Sequence, residues 1–317
     1  MNPEEREELA RLVPGPGDPV LPSDRYDLLK DHLMRELTRP AARPAGFRRR
    51  FAVIGVPLAA TVATAVIITG LGIGRQETLT TDPKAADLLN RIATVAAAQR
   101  AVPVRDDQYV YIRTQGSMKF SEDDVRILRD ARWTAVDGKR PGLSRITVLV
   151  GPPFRERDPF ASYSKGTHDR RLNADPNVTS FRELEALPTD PDALLAEIYA
   201  GSKGEGDQTR QSAALETIGG MLADATLLPE LDAALYRAAA KIPGVSVVDN
   251  AKDFAGRPGI GLTFKNGNRD NQADKDGEVD EDEVWVFDKK TLTYLGSDKE
   301  ALLDTGIADA LGKQPGD

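Results

Sequence analysis

The residues best suited to chemistry lie in one acidic stretch, Gln272–Glu283, which reads QADKDGEVDEDE. Carboxylate oxygens are ligands that Ca²⁺ prefers, and here they recur at alternating positions, as in a calcium-binding loop. Aligned to such a loop, the ligand positions with acidic side chains are Asp274, Asp276, Asp280 and Glu283. Gln272 stands at the first ligand position and the flanks read as strands, so we expect only weak calcium binding. The alternative is a solvated acidic hairpin loop without a metal.

Side chains for other common kinds of chemistry are scarce in this chain of 317 residues. It contains no cysteine, which excludes a disulfide scaffold, a thiolate zinc site, an iron–sulfur cluster and a cysteine nucleophile. Its two histidines, His32 and His168, are far apart in the sequence, and His168 lies in a charged stretch typical of a solvated loop. The sequence contains no glycine-rich phosphate loop, nucleophile elbow or zinc-protease helix. We therefore expect no enzyme activity, and no cofactor apart from weakly bound calcium.

An uninterrupted apolar run, Phe51–Gly74, predicts a transmembrane helix because it contains no charged residue. As a helix, the 23 residues from Phe51 to Ile73 would extend about 35 Å, enough to cross a hydrocarbon layer of about 30 Å. A cleaved signal peptide is one alternative, but its apolar part is usually about 7–15 residues long and lies nearer the start of the chain. A buried helix of a soluble protein is another, but such helices rarely lack a polar face.

The charges beside this run predict its orientation in the membrane. Arginines cluster before it, at Arg39, Arg43, Arg48, Arg49 and Arg50, whereas Arg75 alone follows it closely. By the positive-inside rule we expect three parts in a cytoplasmic-membrane protein: a cytoplasmic segment (1–50), a single transmembrane helix (51–74) and an extracytoplasmic domain (75–317). The outer part carries 32 basic and 41 acidic residues, which argues against nucleic acid as a partner.

The cytoplasmic segment is predicted to contain two short helices, and the second has one apolar stripe. After the N-cap Ser23, this stripe recurs at helical spacing and comprises Tyr26, Leu29, Leu33 and Leu37. A segment of about forty residues cannot enclose a core by itself, so the stripe needs a surface to pack against. Two explanations remain open: it binds a cytoplasmic protein through residues 23–38, or it packs on the first helix or lies on the membrane surface.

The outer domain reads as strands, a helical insertion and further strands, which is an α+β pattern with an antiparallel sheet. Asp82 and Pro83 open a first helix. Apolar residues predict strands at 108–114, 132–136, 145–150, 245–248, 260–264, 284–287 and 292–295. Residues 151–178 read as a long loop, and cap and proline signals predict helices near Ser180, Asp190, Gln208 and Pro229. The sequence FDKKT, Phe287–Thr291, predicts a tight turn in which Asp288 bonds to the backbone.

Three segments carry a resemblance to known proteins: LPSDRYDLLKDHLMRE (Leu21–Glu36), IPGVSVVDNAKDFAGRPGIGLTF (Ile242–Phe264) and VWVFDKKTLTYLG (Val284–Gly296). With the apolar run, they resemble a family of actinobacterial single-pass membrane proteins that have no assigned activity and are often encoded beside extracytoplasmic-function sigma factors. More distantly, the leading helix followed by antiparallel strands resembles the half-barrels of LolA-like lipoprotein carriers and RseB-like sigma-regulatory proteins. This second resemblance implies a curved, half-barrel-like sheet around an apolar cavity for acyl chains.

These resemblances lead to two hypotheses about function. The cytoplasmic segment resembles a reduced form of the segment with which membrane anti-sigma factors hold a sigma factor, without the His and Cys ligands of the zinc-binding type. We therefore expect a non-enzymatic regulatory or signalling membrane protein, with a sigma factor or another cytoplasmic protein as its partner. The alternative is a membrane-anchored carrier or binding module for a lipid or lipoprotein. If the half-barrel resemblance holds, strand residues such as Tyr109, Tyr111 and Trp285 would line an apolar hollow for a hydrophobic ligand.

Overall fold

The computed structural model describes residues 82–121, 124–151, 163, 165–175, 178–202, 208–264 and 283–316. The predicted cytoplasmic segment (1–50), the apolar run (51–74) and the linker (75–81) lie outside the described residues. No helix within the described ranges combines the length and the apolar character needed to cross a bilayer. The transmembrane helix therefore stays a prediction.

Within the described residues, nine strands form one curved, open, antiparallel sheet. In chain order they are β1 (Tyr109–Ser121), β2 (Asp124–Ala135), β3 (Gly142–Val150), β4 (Gly166–Leu172), β5 (Val245–Val248), β6 (Ile260–Phe264), β7 (Val284–Phe287), β8 (Tyr294–Ser297) and β9 (Glu300–Ala308). Their order across the sheet is β4-β3-β2-β1-β9-β8-β7-β6-β5, so β4 and β5 form the edges. Strands β1 and β9 are therefore neighbours in the middle of the sheet, where Tyr109 is paired with Ala308.

Helices in the described ranges begin where the sequence carries cap signals. They are α1 (Pro83–Ala97), α2 (Phe181–Glu185), α3 (Pro191–Gly201), α4 (Arg210–Ala225) and α5 (Pro229–Ala239). The Asp82 carboxylate accepts a hydrogen bond from the Lys84 N–H at 2.9 Å, and Ser180 forms a capping box with Glu183. Prolines occupy the first turns of α1, α3 and α5, where the missing N–H costs nothing. The predicted helix starts are thus confirmed to within a few residues.

The main core lies between the helices and one face of the sheet. Helix α1 turns Leu88, Leu89 and Ile92 toward this core, beside the buried faces of α4 and α5. The sheet contributes Val245, Leu262, Trp285 and Phe287. Each large apolar side chain that is fully buried contributes about 1.5–3 kcal/mol relative to exposure, so this layer of helices on sheet is the main source of stability.

The opposite face of the sheet, called the outer face below, carries a smaller apolar cluster. Because side chains alternate along a strand, Ile112 points toward the helices and Tyr111 points to the outer face. Tyr111 packs against Trp133, with 5.1 Å between the ring centroids. The segment 309–316 folds back here, since the Trp133 indole N–H donates a hydrogen bond to the Lys313 carbonyl.

Two strands, β4 and β9, were not predicted from the sequence. Strand β4 (GTHDRRL) falls in the stretch that reads as a loop because its side chains are mostly polar, and pairs such as Arg145 with Asp169 hold it to β3. Strand β9 (EALLDTGIA) shows no regular alternation, and its conformation depends on pairing with β1 and β8. Pairing with neighbouring strands, rather than local sequence, determines that both segments are strands. The same pairing extends β1 and β2 beyond their predicted ranges.

The prediction of an α+β fold with an antiparallel sheet is confirmed, and the helices α2 to α5 form an insertion between β4 and β5. The predicted turn after β7 is also confirmed. There the Asp288 carboxylate accepts hydrogen bonds from the backbone N–H groups of Lys290 and Thr291, both at 2.8 Å.

Candidate functional site

The sheet opens between β8 and β9. These strands share the register pair Gly296 and Ala301, whereas β9 is paired with β1 along most of its length. Gly296 has φ +108°, and a Cβ at this position would lie 2.3 Å from the Glu300 carbonyl oxygen. Only glycine permits this backbone conformation together with so close an approach.

Arg257 joins the two strands where their ladder stops. Its Nη2 donates hydrogen bonds to the carbonyl oxygens of Leu295 at 2.8 Å and Leu302 at 2.7 Å. Its Nε donates to the Asp253 carboxylate at 2.6 Å, and Asp253 is only 4 % exposed. One guanidinium therefore connects β8, β9 and a buried carboxylate, and its planar fork of donors suits this task.

A cleft of about 370 Å³ lies over this opening, between α1, the start of α5 and the strands β8 and β9. Its apolar lining comprises Ile92, Val95, Ala96, Leu292, Leu302 and Leu303. Its polar lining includes Gln99, Arg100, Asp232, Arg257, Asp304 and Thr305. Ligand pockets usually measure about 300–1,000 Å³, so this cleft suits a small ligand that has both an apolar body and polar groups.

Asp232 is the buried acid of the cleft. It lies in the first turn of α5 and is 8 % exposed. Burial raises the pKa of its carboxyl to about 7, and the hydrogen bond from the Tyr236 hydroxyl offsets only part of this effect. Its Oδ1 has no hydrogen-bond partner among the described residues. A buried carboxyl with an unused oxygen at the wall of a cleft is suited to receive a hydrogen-bond donor from a ligand.

Two tyrosines near Asp232, Tyr236 and Tyr294, both pack against the ring of Phe287. The ring of Tyr236 lies 5.6 Å from that of Phe287, which lies 5.5 Å from that of Tyr294. Burial raises the pKa of both tyrosine hydroxyls well above the usual range, and nearby carboxylates raise it further, so both stay neutral. The cleft can therefore bind a donor group, and Asp232 can take up or release a proton near neutral pH.

Among the residues predicted to bind calcium, only Glu283 lies in the described ranges. Burial raises the pKa of its carboxyl, while a hydrogen bond with Ser297 lowers it, so its side chain is turned toward β8. Asp274, Asp276 and Asp280 lie outside the described residues. Within the described ranges no group of three or more His, Cys, Asp or Glu side chains is arranged to hold a metal ion. The calcium site therefore stays a prediction.

The residues predicted to contact a cytoplasmic partner, Tyr26, Leu29, Leu33 and Leu37, all lie outside the described ranges. The structure thus neither brings them together nor separates them. Their role as a binding stripe also stays a prediction.

The predicted lining of an apolar hollow was wrong for all three residues, and Tyr109 packs in the cluster on the outer face. Trp285 is 1 % exposed and packs in the main core, where its ring leaves so little room that a Cβ at Gly219 would lie 3.0 Å from Nε1. Tyr111 is equally buried but points to the outer face, away from the helices. The cleft is instead lined by α1, α5 and the β8–β9 opening, because the strands separate there.

The cleft residues Asp232 and Arg257 were not identified from the sequence. An acid in the first turn of a helix usually interacts with the helix dipole, and Asp232 in PELDAALYRAA fits that ordinary pattern. Comparison of the chain with protein-family models, with curated proteins and with solved structures finds no match. A functional proposal therefore depends on the sequence pattern and on the geometry of the cleft.

Proposed function

We propose that this chain is a non-enzymatic, single-pass protein of the cytoplasmic membrane with a regulatory role. Residues 75–317 bind a ligand outside the membrane, and residues 1–50 contact a protein in the cytoplasm. The observation that carries the proposal is the charge-free run Phe51–Gly74 with Arg48, Arg49 and Arg50 directly before it. A sigma factor is the kind of partner that the resemblance of the cytoplasmic segment suggests.

The cleft supports the binding part of the proposal. In this interpretation the curved sheet acts as a half-barrel, and the ligand enters between the helices and the β8–β9 opening. Asp232 has an unused oxygen, and Arg100 and Arg257 line the same cleft, so polar groups of a ligand would find complementary partners. Because α1 forms one wall and begins close to the predicted membrane helix in the sequence, ligand binding would act on the element nearest the membrane.

The alternative proposal is an anchored carrier for a lipid or lipoprotein. A carrier of acyl chains needs a long and mainly apolar cavity. The cleft of about 370 Å³ is at the small end of the usual range, and Asp232 and Arg257 lie on its walls. Burying these polar groups against an acyl chain would cost free energy, so the cleft supports a small polar ligand better than a lipid tail.

Cysteine labelling tests the membrane orientation, since the chain contains no native cysteine. Val102 is 59 % exposed, so Val102→Cys should react with an impermeant thiol reagent in intact cells. Ser23→Cys should react only after the cells are broken. The opposite pattern would overturn the orientation, and equal labelling of both in intact cells would overturn the single span.

Replacement of the apolar stripe tests the regulatory interpretation against the carrier. The stripe variant changes Tyr26, Leu29, Leu33 and Leu37 to Ala in the full chain, and Leu28→Ala, off the stripe, is the matched control. The regulatory interpretation predicts that a sigma factor co-purifies with the native chain and with the control, but not with the stripe variant. Equal co-purification with all three, or with none, would leave residues 1–50 as an anchor only.

A further inference from the structure

Positive charge is concentrated on the strands β1 to β4. These four strands carry 8 Lys and Arg and 3 Asp and Glu. The whole stretch 75–317 has the opposite balance, with 32 basic and 41 acidic residues. This half of the sheet therefore offers an anion a local attraction that the rest of the domain does not.

The strand register brings three of these arginines around one small residue. Ala131 on β2 is paired with Arg113 on β1 and with Arg145 on β3. Arg129 lies two positions before Ala131 on the same strand, and Trp133 lies two positions after it. Residues two apart share a sheet face, so all five side chains lie on the outer face. Ala131 is short, so a space remains between the two flanking arginines.

This space is a pocket of about 170 Å³. Its lining includes Arg113, Arg129, Ala131, Trp133, Arg145 and Gly312. The segment 309–316 thus supplies one wall, since it is attached to the outer face through the hydrogen bond between Trp133 and Lys313. The guanidinium carbon of Arg145 lies 5.5 Å from the centroid of the Trp133 ring, which restricts its orientation.

The three guanidinium groups differ in how fully they are paired. Arg145 makes two hydrogen bonds to the Asp169 carboxylate, at 2.7 and 2.8 Å, and Arg129 donates to Gln115 at 2.9 Å. Arg113 has a looser ion pair, with 3.4 Å between its Nη2 and Asp304. Its Nε is buried and has no hydrogen-bond partner among the described residues.

We propose that this pocket binds a single oxyanion group of phosphate type, held between Arg113, Arg129 and Arg145 above Ala131. Arginine forks match the geometry of phosphate oxygens and form charge-assisted hydrogen bonds that are stronger than neutral ones. Arg113 is the principal ligand because its donors are least used by the protein. This site lies on the face opposite the cleft and does not depend on the function proposed above.

Calorimetric titration of the full chain in detergent with inorganic phosphate, at low ionic strength, tests the site. Arg113→Gln should weaken phosphate binding by about tenfold or more, since it removes charge-assisted hydrogen bonds. Ala131→Leu should weaken it similarly by filling the pocket while leaving every charge in place. Arg132→Gln is the matched control, because Arg132 follows Ala131 and points to the opposite face.

The outcomes separate the site from general charge attraction. Binding that survives in Arg132→Gln but is lost in Arg113→Gln and Ala131→Leu supports the site, provided that all variants melt like the native chain. If Ala131→Leu has a lower melting temperature than the native chain, the comparison of Arg113→Gln with Arg132→Gln alone tests the site. No binding by the native chain, or equal weakening by Arg113→Gln and Arg132→Gln, would overturn the proposal.

A second titration with glycerol 3-phosphate distinguishes a lipid headgroup from free phosphate as the source of the anion. Tighter binding of glycerol 3-phosphate, lost again in Ala131→Leu, would favour a phosphate that carries a glycerol ester, as in a lipid headgroup, over free phosphate. Tighter binding of inorganic phosphate would identify a soluble phosphate. Absence of binding for both probes would overturn the site altogether.

Discussion

The protonation of Asp232 links the stability of the folded chain to pH. Burial raises the pKa of its carboxyl from 3.8 to about 7, so the folded state binds this proton more tightly than the unfolded state does. The resulting stabilisation is complete below the unfolded pKa and is lost as the pH rises through about 7. The shift corresponds to about 4 kcal/mol between the two ends of this range.

We predict that Asp232→Asn removes most of this dependence. At about pH 8.5 the variant should have a free energy of unfolding about 2 kcal/mol above that of the native chain, because no buried carboxylate must be kept ionised. At about pH 5 this excess should be smaller, because the carboxyl is then neutral in the folded state and ionised only in the unfolded state. Urea denaturation at both pH values measures this. Glu230→Gln, which changes an exposed acid in the same helical turn, is the control. If Asp232→Asn changed the free energy of unfolding equally at both pH values, the prediction would be contradicted.

Arg257 is predicted to hold the β8–β9 opening together. Arg257→Met should lower the free energy of unfolding by about 3 kcal/mol, because it removes hydrogen bonds to Leu295 and Leu302 and leaves Asp253 as a buried, uncompensated charge. Lys252→Met, an exposed change nearby, should alter stability by less than about 0.5 kcal/mol. Chemical denaturation of both variants measures these changes in the free energy of unfolding. Similar losses in the two would show that Arg257 has no special role.

At the scale of elements, two adjacent glycines of α4 should respond oppositely to the same substitution. A Cβ at Gly220 meets nothing within 4 Å, so Gly220→Ala should stabilise the chain by about 0.5–1 kcal/mol through better helix propensity. A Cβ at Gly219 would lie 3.0 Å from the buried Trp285 ring, so Gly219→Ala should destabilise it by about 1–2 kcal/mol. Thermal melts of the two variants and of the native chain measure the changes in stability. Stabilisation by both would mean that the contact of α4 with β7 is looser than described.

The segment between β6 and β7 tests the calcium prediction. If its carboxylates bind Ca²⁺ with a dissociation constant on the order of 10⁻⁴–10⁻³ M, millimolar calcium should raise the melting temperature by a few degrees. Asp276→Asn with Asp280→Asn should abolish the rise, whereas Asp249→Asn should leave it unchanged. Glu283 is kept, because its contact with Ser297 gives it a role in the fold without calcium. An equal rise in the double variant would leave the stretch as a solvated acidic loop.

How well each element could be predicted depends on how local its determinants are. The starts of α1 and α3 follow from Asp–Pro caps within two neighbouring residues, so they could be predicted. Strand β4 is polar and depends on cross-strand pairs such as Arg145 with Asp169, which no local pattern reveals. The cleft could not be predicted for the same reason: Asp232 and Arg257 acquire their roles only because distant strands separate beside them.

For the whole molecule, the position of β9 next to β1 makes the sheet depend on a late segment of the chain. Ending the chain after Lys299 should abolish cooperative unfolding, because β1 would lose its partner in the middle of the sheet. Ending it after Asp309 should preserve cooperative unfolding but change the near-ultraviolet circular dichroism, because Trp133 loses its bond to Lys313. Thermal melts of both chains provide the test. A cooperative melt without β9 would contradict the central role of this pairing.

The pairing of β1 with β9 also determines when the sheet can be completed during biosynthesis. Tyr109 on β1 cannot pair with Ala308 on β9 until Ala308 has been synthesised. At about 5–20 residues per second, the ribosome needs about 10–40 s to make the chain between them. Throughout this interval one edge of β1 presents unpaired N–H and C=O groups, which are templates for aggregation. The sheet order thus delays closure of the middle of the sheet until β9 has been synthesised, so the domain should complete its fold late in translation or after it.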